Sequence, residues 1–446
     1  MFKVPTPPYD PGDVLRRCLR GERPFLLDGA CDADGLGRFS FAGCDPDDGV
    51  VVRRADAAMA LPLLEAAQRR WTVGPVDDKP WPLAVGYLGY DLGEELVARP
   101  AGRRFSSVDD LELPVCDFAR YPAIWRWDRK ERRGEVLAHD AQAAEKLLQR
   151  LQRTPPPLAP IGASAPLWQI SDDEYRGRVG RVLEYLRAGD AYQVNLSHRV
   201  TSRLDESGMI SLYLALRQKA PAPLGMFLQT PTATLASNTP ELFLRVERGG
   251  PKSLGGPGWI VETRPIKGTR GRGRDAEEDR RLATELEGST KDAAEHLMIV
   301  DLLRNDLGVV AELGSVEVSG FQRRVELPTV HHLVSTVRAR VADGVGLARM
   351  LAATFPGGSV TGAPKLRAME IIDELEGVRR GPYCGALGWL GPGARLDLAL
   401  GIRTGVWRGG ELSWAVGGGI VADSDPDEEL AETRVKAQAL MAVVGG

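Results

Sequence analysis

Residues 171–200 read SDDEYRGRVGRVLEYLRAGDAYQVNLSHRV. Ser171 followed three residues later by Glu174 is a capping box, in which each side chain covers a free N–H at a helix start. It predicts a helix over Asp172–Arg187, stopped by Gly189. The period then changes. Tyr192, Val194, Leu196 and Val200 fall on alternate positions, the spacing of a strand, so Gln193, Asn195 and Ser197 share the opposite face. A polar row of this kind is usually the solvated face of an antiparallel sheet, and that is the expectation here. Working outward, strand patterns recur near 234–245, 315–319, 385–390, 397–404 and 412–416. Helical patterns cover 275–287, 291–305, 365–375 and 427–443. Strands arriving in pairs with helices between them predict antiparallel or mixed sheets, an α+β protein rather than a doubly wound one.

The chain has 446 residues, 43% hydrophobic and 26% charged, ordinary values for a globular protein with a large core. No apolar run approaches the ~18 residues of a membrane span. The N-terminus, MFKVPTPPYD, lacks the shape of a secretory signal. Five scattered cysteines, Cys18, Cys31, Cys44, Cys116 and Cys384, form no C-x-x-C pair, so neither a disulfide framework nor a zinc site is expected. The expectation is a cytoplasmic protein that engages no membrane. A net charge of −4 argues against a nucleic-acid binder. A Pro-rich stretch, TPPPLAPIGASAP at 154–166, reads as a linker or surface crossing between 1–153 and 167–446. A second loop, ERGGPKSLGGPGW at 247–259, is expected to project as an insertion.

Only ten of the 57 cations are lysine, and unlike arginine a desolvated lysine can act as a base or nucleophile. Lys267 lies in ETRPIKGTRGRGRDAEED (262–279), bracketed by Pro265 and Gly268 and followed by Arg270, Arg272 and Arg274. Read alone, this is a flexible basic loop or a weak RNA-binding segment. In KDAAEHLMIVDLLRNDLG (291–308), Lys291 and Glu295 stand four apart, which alone suggests a surface ion pair. TFPGGSVTGAPKLRAMEIIDELE (354–376) is a glycine-rich loop entering a helix near Pro364, a geometry that can present N–H groups to an anion, though it is not a P-loop. In AVGGGIVADSDPDEELAETRVKA (415–437), Glu429, Glu432 and Lys436 share a helix face. They read equally as dipole-complementing acids and an exposed pair.

The coincidence of these tracts changes the reading. The sequence resembles the chorismate-binding enzymes, and among them the aminodeoxychorismate synthase component I branch. The resemblance runs through DAYQVNLSHR, SNTPELFL, RPIKGT, KDAAEHLMIVDLLRNDLG, VHHLVS, FPGGSVTGAPK, YCGALG, GIRT and GGGIVADSDPDEELAETRVKA. In the N-terminal part it includes PFLLDGA, RFSFAGCDP and GYLGYDLGEE. It implies two large, mostly antiparallel sheets packed as a sandwich with helices outside, to which both halves contribute, so that 154–166 is a crossing within one body.

The resemblance further implies a site. Glu295 and Glu432 match positions that hold Mg²⁺, with Glu429 as a water-mediated helper; magnesium takes hard oxygen ligands and only one or two carboxylates. Tyr383, Arg403 and the backbone of Gly417, Gly418 and Gly419 match positions that bind the enolpyruvyl carboxylate of chorismate. Gly268 and Thr269 match substrate contacts, Lys436 a carboxylate partner, and His332 a histidine over the ring, whereas His331 is read as structural. Glu241 matches the acid/base carboxyl. In water-adding relatives a lysine base stands where this chain has Gln193, and an amide cannot deprotonate water. In anthranilate synthases the loop reads P-I-A-G-T. Lys267 in Pro265-Ile266-Lys267-Gly268-Thr269 instead marks the branch in which that amine attacks C2 of chorismate before ammonia adds at C4. Magnesium and neighbouring arginines are expected to lower its pKa. One departure is Gly29, where some relatives carry a serine for tryptophan. The chain has no G-x-C-x-G setting for glutamine hydrolysis, so a separate glutamine amidotransferase subunit, component II, is the expected ammonia source. The rival readings are an anthranilate synthase component I and, more remotely, a nucleic-acid-binding module.

Overall fold

The computed structural model describes residues 2–72, 81–97, 105–249 and 258–445. Among the described residues two sheets, of 12 and 10 strands, organise the fold. The larger runs from Phe2–Thr6 through Arg133–Ala138, Ala123–Asp128, Phe39–Gly43 and Phe25–Asp28. It continues through Gly225–Gln229, Thr234–Ser237, Thr404–Arg408 and Glu411–Ile420 to Gln193–Arg203 and Gly362–Ala363. The smaller begins at Ile266–Gly271, passes through Val330–Arg340, Trp259–Arg264, Leu242–Arg248, Leu396–Leu400 and Ala386–Leu390, and ends on Ala84–Leu88, Cys116–Arg120 and Asp48–Val52. Each sheet therefore joins N-terminal strands to C-terminal ones by antiparallel ladders, at Phe25–Asp28 with Gly225–Gln229 and at Ala84–Leu88 with Ala386–Leu390.

The sheets face each other across one apolar core that includes Phe25, Leu27 and Phe41 from one and Tyr87, Phe118 and Leu387 from the other. Each such side chain, buried fully, stabilises the fold by roughly 1.5–3 kcal/mol. A second core lies where helices cover the larger sheet, around Trp125, Trp414 and Leu440. Segment 154–166 touches both halves: Arg16 donates to Pro156 O at 3.1 Å, and Ser164 N to Arg203 O at 2.9 Å.

Half of the capping box forms: Ser171 Oγ accepts from Glu174 N at 3.2 Å, while the Glu174 carboxylate accepts from Arg178 at 2.7 Å. The polar row on the next strand departs from expectation. Gln193, Asn195 and Ser197 are buried, at 1%, 8% and 4% exposure, while Tyr192 is 74% exposed. Strand Gln193–Arg203 lies inside the sheet, paired with Glu411–Ile420 and with Gly362–Ala363. Its apolar face packs on helix Asp172–Arg187, and its polar face is covered too, with Ser197 donating to Glu376.

Two stretches expected as single strands each divide between the sheets. Residues 234–245 form Thr234–Ser237 in the larger sheet and Leu242–Arg248 in the smaller. Residues 397–404 become Leu396–Leu400 in the smaller and Thr404–Arg408 in the larger. The two crossovers are tied together: Asn238 N donates to Arg403 O at 3.0 Å and Leu400 N to Glu241 O at 3.0 Å. Glu241 and Arg403 thus sit where the chain changes sheets. Of the loop at 247–259, residues 250–257 lie outside the described residues. Among the described residues no helix is long and apolar enough to cross a membrane.

Candidate active site

Lys267 stands on Ile266–Gly271, the end strand of the smaller sheet's path. The ladder to Val330–Arg340 shifts register between Lys267, opposite Leu333, and Thr269, opposite His332. Gly268 sits in that irregularity with φ 83°, a conformation glycine adopts without steric cost. A side chain there would also meet Leu286 at 2.9 Å and Asp292 at 3.3 Å, so helices Ala276–Glu287 and Thr290–Gly308 can approach closely.

Helix Thr290–Gly308, capped by Ser289 accepting from Asp292 N at 3.2 Å, carries Glu295 on its buried face. Glu295 pairs with the Lys267 ammonium. The i,i+4 partnership with Lys291 does not form; Lys291 lies 4.0 Å from Glu428 instead. Burial opposes the charge on Lys267, yet Glu295, with Glu432 and Glu429 beyond it, holds the amine above the ordinary lysine range. Of the two causes expected to lower it, neighbouring arginines are not among the groups acting on it. The charges felt at Lys267 are those of carboxylates, and they favour its protonated form.

Helix Pro426–Val444 supplies the remaining acids. Lys436 holds the Glu432 carboxyl down at about 2 through an ion pair of 2.6 Å, so Glu432 stays ionised. Lys436 also donates to Gly417 O at 2.8 Å. Glu429 is raised by burial; Ser424 donates to its Oε1 at 2.6 Å, and its Oε2 is buried without a partner. A Cβ on Gly418 would stand 2.9 Å from that Oε2, so glycine is what lets the strand pass.

Three carboxylates from two helices thus act on one ammonium. A site that holds a cation with ionised Glu432, buried Glu295 and an unpartnered Glu429 oxygen has the donors a hard divalent ion takes. Among the described residues no group of three or more His, Cys, Asp or Glu side chains is close enough to hold a metal unaided.

Glu241 is buried, and burial lifts its carboxyl to about 7, against a hydrogen bond from Ser359 Oγ at 2.9 Å. A carboxyl near neutrality can donate a proton at physiological pH. Ser359 is a residue that sequence reasoning missed. It belongs to the glycine-rich tract read as an anion loop, where Pro364 is the residue capping helix Lys365–Glu376 and Lys365 is paired with Asp306 at 3.1 Å.

The two adjacent histidines point to opposite faces, as strand alternation requires. His332 bonds Thr269 Oγ1 through Nδ1 at 2.9 Å, and burial, helped by Arg403, lowers it to about 4, so it is neutral. His331 Nε2 meets Asp279 at 3.0 Å. Arg403 donates to Lys436 O at 2.7 Å, and Tyr383 is buried near the Arg380 guanidinium. The arginine run is fully engaged. Arg270 pairs with Glu285 at 2.9 Å, Arg272 with Asp279 at 2.7 Å and Arg274 with Glu278 at 2.9 Å, so each cation has an acidic partner. At Gly29 a side chain would meet Gly37 O at 2.1 Å, so serine has no room.

The chain is similar to known proteins over most of its length. It is 39% identical over 392 residues to anthranilate synthase component 1 of Haloarcula marismortui, covering 82% of this chain and 77% of that one. It is 39% identical over 353 residues to aminodeoxychorismate synthase component 1 of Salmonella typhimurium, covering 78% and 74%. The structure of anthranilate synthase component I from Streptococcus pneumoniae matches with a TM-score of 0.75 at 28% identity, over 91% of this chain and 92% of that chain. The chorismate binding enzyme family matches residues 39–442, which include every candidate site residue described above, and the chain belongs to that family.

Proposed function

We propose that this protein aminates chorismate at C4 with ammonia, giving 4-amino-4-deoxychorismate, with Lys267 as the covalent nucleophile. The observation that carries the reading is the partly buried amine of Lys267, set among Glu295, Glu432 and Glu429. Glu295 and Glu432 would hold Mg²⁺. Bound there, the ion would draw off the negative charge that keeps Lys267 protonated and would polarise the ring carboxylate.

The chain's own groups do the rest. Tyr383, Arg403 and the N–H groups of Gly417–Gly419 hold the enolpyruvyl carboxylate; glycines let the backbone approach an anion. Gly268, Thr269, Lys436 and neutral His332 orient the ring. The Lys267 Nζ lone pair bonds C2, the two ring double bonds shift, and the C4–O bond breaks. Glu241 protonates the departing oxygen, which leaves as water. Ammonia then bonds C4, the double bonds shift back, and the C2–N bond breaks to release Lys267. The proton shed by the new amine returns to Glu241. No atom of the chain is consumed.

Ammonia would come from a separate glutamine amidotransferase subunit, a reading supported by the name component 1 of the Salmonella typhimurium relative. The test is incubation with chorismate, Mg²⁺ and ammonium, with products identified by mass and fluorescence. The 4-amino product is expected. Anthranilate as the product would overturn the reading, and so would glutamate released in step with amination when glutamine is given without a partner.

A further inference from the structure

Ser335, 1% exposed within strand Val330–Arg340, has no part in the chemistry above. Its polar atoms nevertheless meet three other segments. Its Oγ shares a hydrogen bond of 2.6 Å with Nε2 of the fully buried His296, the residue after Glu295 on helix Thr290–Gly308. Its backbone N–H donates to Pro265 O at 3.3 Å, two residues before Lys267. Its Oγ also accepts from Gln322 N at 3.0 Å, on strand Glu317–Glu326, which pairs with the strand of Ser335.

Gln322 completes the arrangement. It sits where the ladder between those two strands slips, between Ser319 and Arg323, with φ 53°. That conformation is costly for a residue with a side chain and persists where neighbours hold it. Here the backbone N–H is on Ser335, and the side-chain amide donates to Ala293 O at 2.9 Å, two residues before Glu295. Phe321 beside it sets its ring edge-on to His296, centroids 5.9 Å apart. Ser335 and Gln322 thus hold the helix on both sides of Glu295, at Ala293 and His296, and the strand just ahead of Lys267, at Pro265.

Lys267 and Glu295 form an ion pair across that junction, and the pair must open before the amine can attack. A pair that opens and closes in each turnover needs backbones that do not move with it. Buried hydrogen bonds suit that task, because breaking one leaves an unpaired polar group behind. We propose that Ser335, with Gln322 behind it, is a positioning residue that fixes the helix of Glu295 against the strand of Lys267. The proposal rests on the reading of Lys267 as the nucleophile.

The test compares Ser335→Ala with Ser335→Thr, which restores the hydroxyl. A misplacement of about 1 Å can cost about a hundredfold in rate. Ser335→Ala should therefore lower kcat, and the rate at which the chorismate adduct forms on Lys267 without ammonia, by about tenfold or more. Ser335 binds no substrate, so KM for chorismate should change by less than about twofold. Ser335→Thr should recover most of both rates. Wild-type rates in Ser335→Ala, a KM that rises in step with the fall in kcat, or a Ser335→Thr as impaired as Ser335→Ala would overturn the assignment. Should Ser335→Ala fail to fold, Gln322→Gly decides. Glycine accepts the φ of 53° without steric cost, and the change removes only the amide on Ala293 O. Its kcat should fall with the fold intact, and an unchanged kcat would overturn the proposal. If the wild-type protein forms no adduct, it is the nucleophile reading that fails, and kcat for the product that does form then judges Ser335 by the same comparison.

Discussion

Ser359 Oγ donates a hydrogen bond to Glu241 Oε1 at 2.9 Å, linking the glycine-rich loop to the point where the chain passes from one sheet to the other. Burial pushes the Glu241 carboxyl up to about 7, and the Ser359 bond works against that rise by favouring the ionised form. The pair sets how far into the neutral range Glu241 can still give a proton.

Ser359→Ala should therefore raise the Glu241 pKa further. A step that needs protonated Glu241 declines as pH passes about 7 in the wild type, and its decline should begin at higher pH in the variant. The pH profile of kcat/KM checks this. A profile displaced to lower pH would contradict it.

Glu241 also links pH to stability. Its folded-state pKa lies above its unfolded value, so its contribution is full below the unfolded pKa of about 4.5 and is lost as pH rises through about 7. Glu241→Gln removes that dependence. Denaturation at mildly alkaline pH should find the variant more stable than wild type by about 2–3 kcal/mol relative to the same comparison in acid, while 4-amino product formation falls. Equal pH dependence in both proteins would show that the carboxyl is not held near neutrality.

Glu295→Gln and Glu432→Gln keep shape and remove charge. Each should lower turnover at least about a hundredfold and weaken the response to added Mg²⁺. Glu295→Gln should also lower the Lys267 pKa, since that carboxylate is its ion-pair partner. Turnover as a function of Mg²⁺ concentration checks the first point, and the pH dependence of Lys267 acylation by a small anhydride the second. Ordinary turnover at ordinary Mg²⁺ would remove that residue from the metal site.

The helices were legible because their signals are local. Ser171 and Glu174 announced one, and the acids at 427–429 another. The sheets were less so. Which strands pair is decided between residues hundreds of positions apart, as when Leu387 meets Tyr87, and nothing local encodes it. The same limit explains the misread polar row, since the group that covers Ser197 on that face is Glu376, 179 positions further along the chain. For the site, it was the resemblance to a known family, not spacing alone, that singled out Lys267, Glu295 and Glu432, and the fold sets Lys267 against Glu295. Helical spacing offered Lys291, whereas the fold brings in Lys267 from a strand. Ser359 was hidden because its role depends on a residue 118 positions earlier.

The proposed reaction stands or falls on a covalent bond between the Lys267 amine and chorismate. The deciding measurement is intact mass after incubation with chorismate and Mg²⁺ and without ammonia. An added mass of chorismate less one water is expected, mapped to Lys267, absent in Lys267→Ala and discharged by ammonia as the 4-amino product. No adduct, together with full 4-amino product formation by Lys267→Ala, would contradict it.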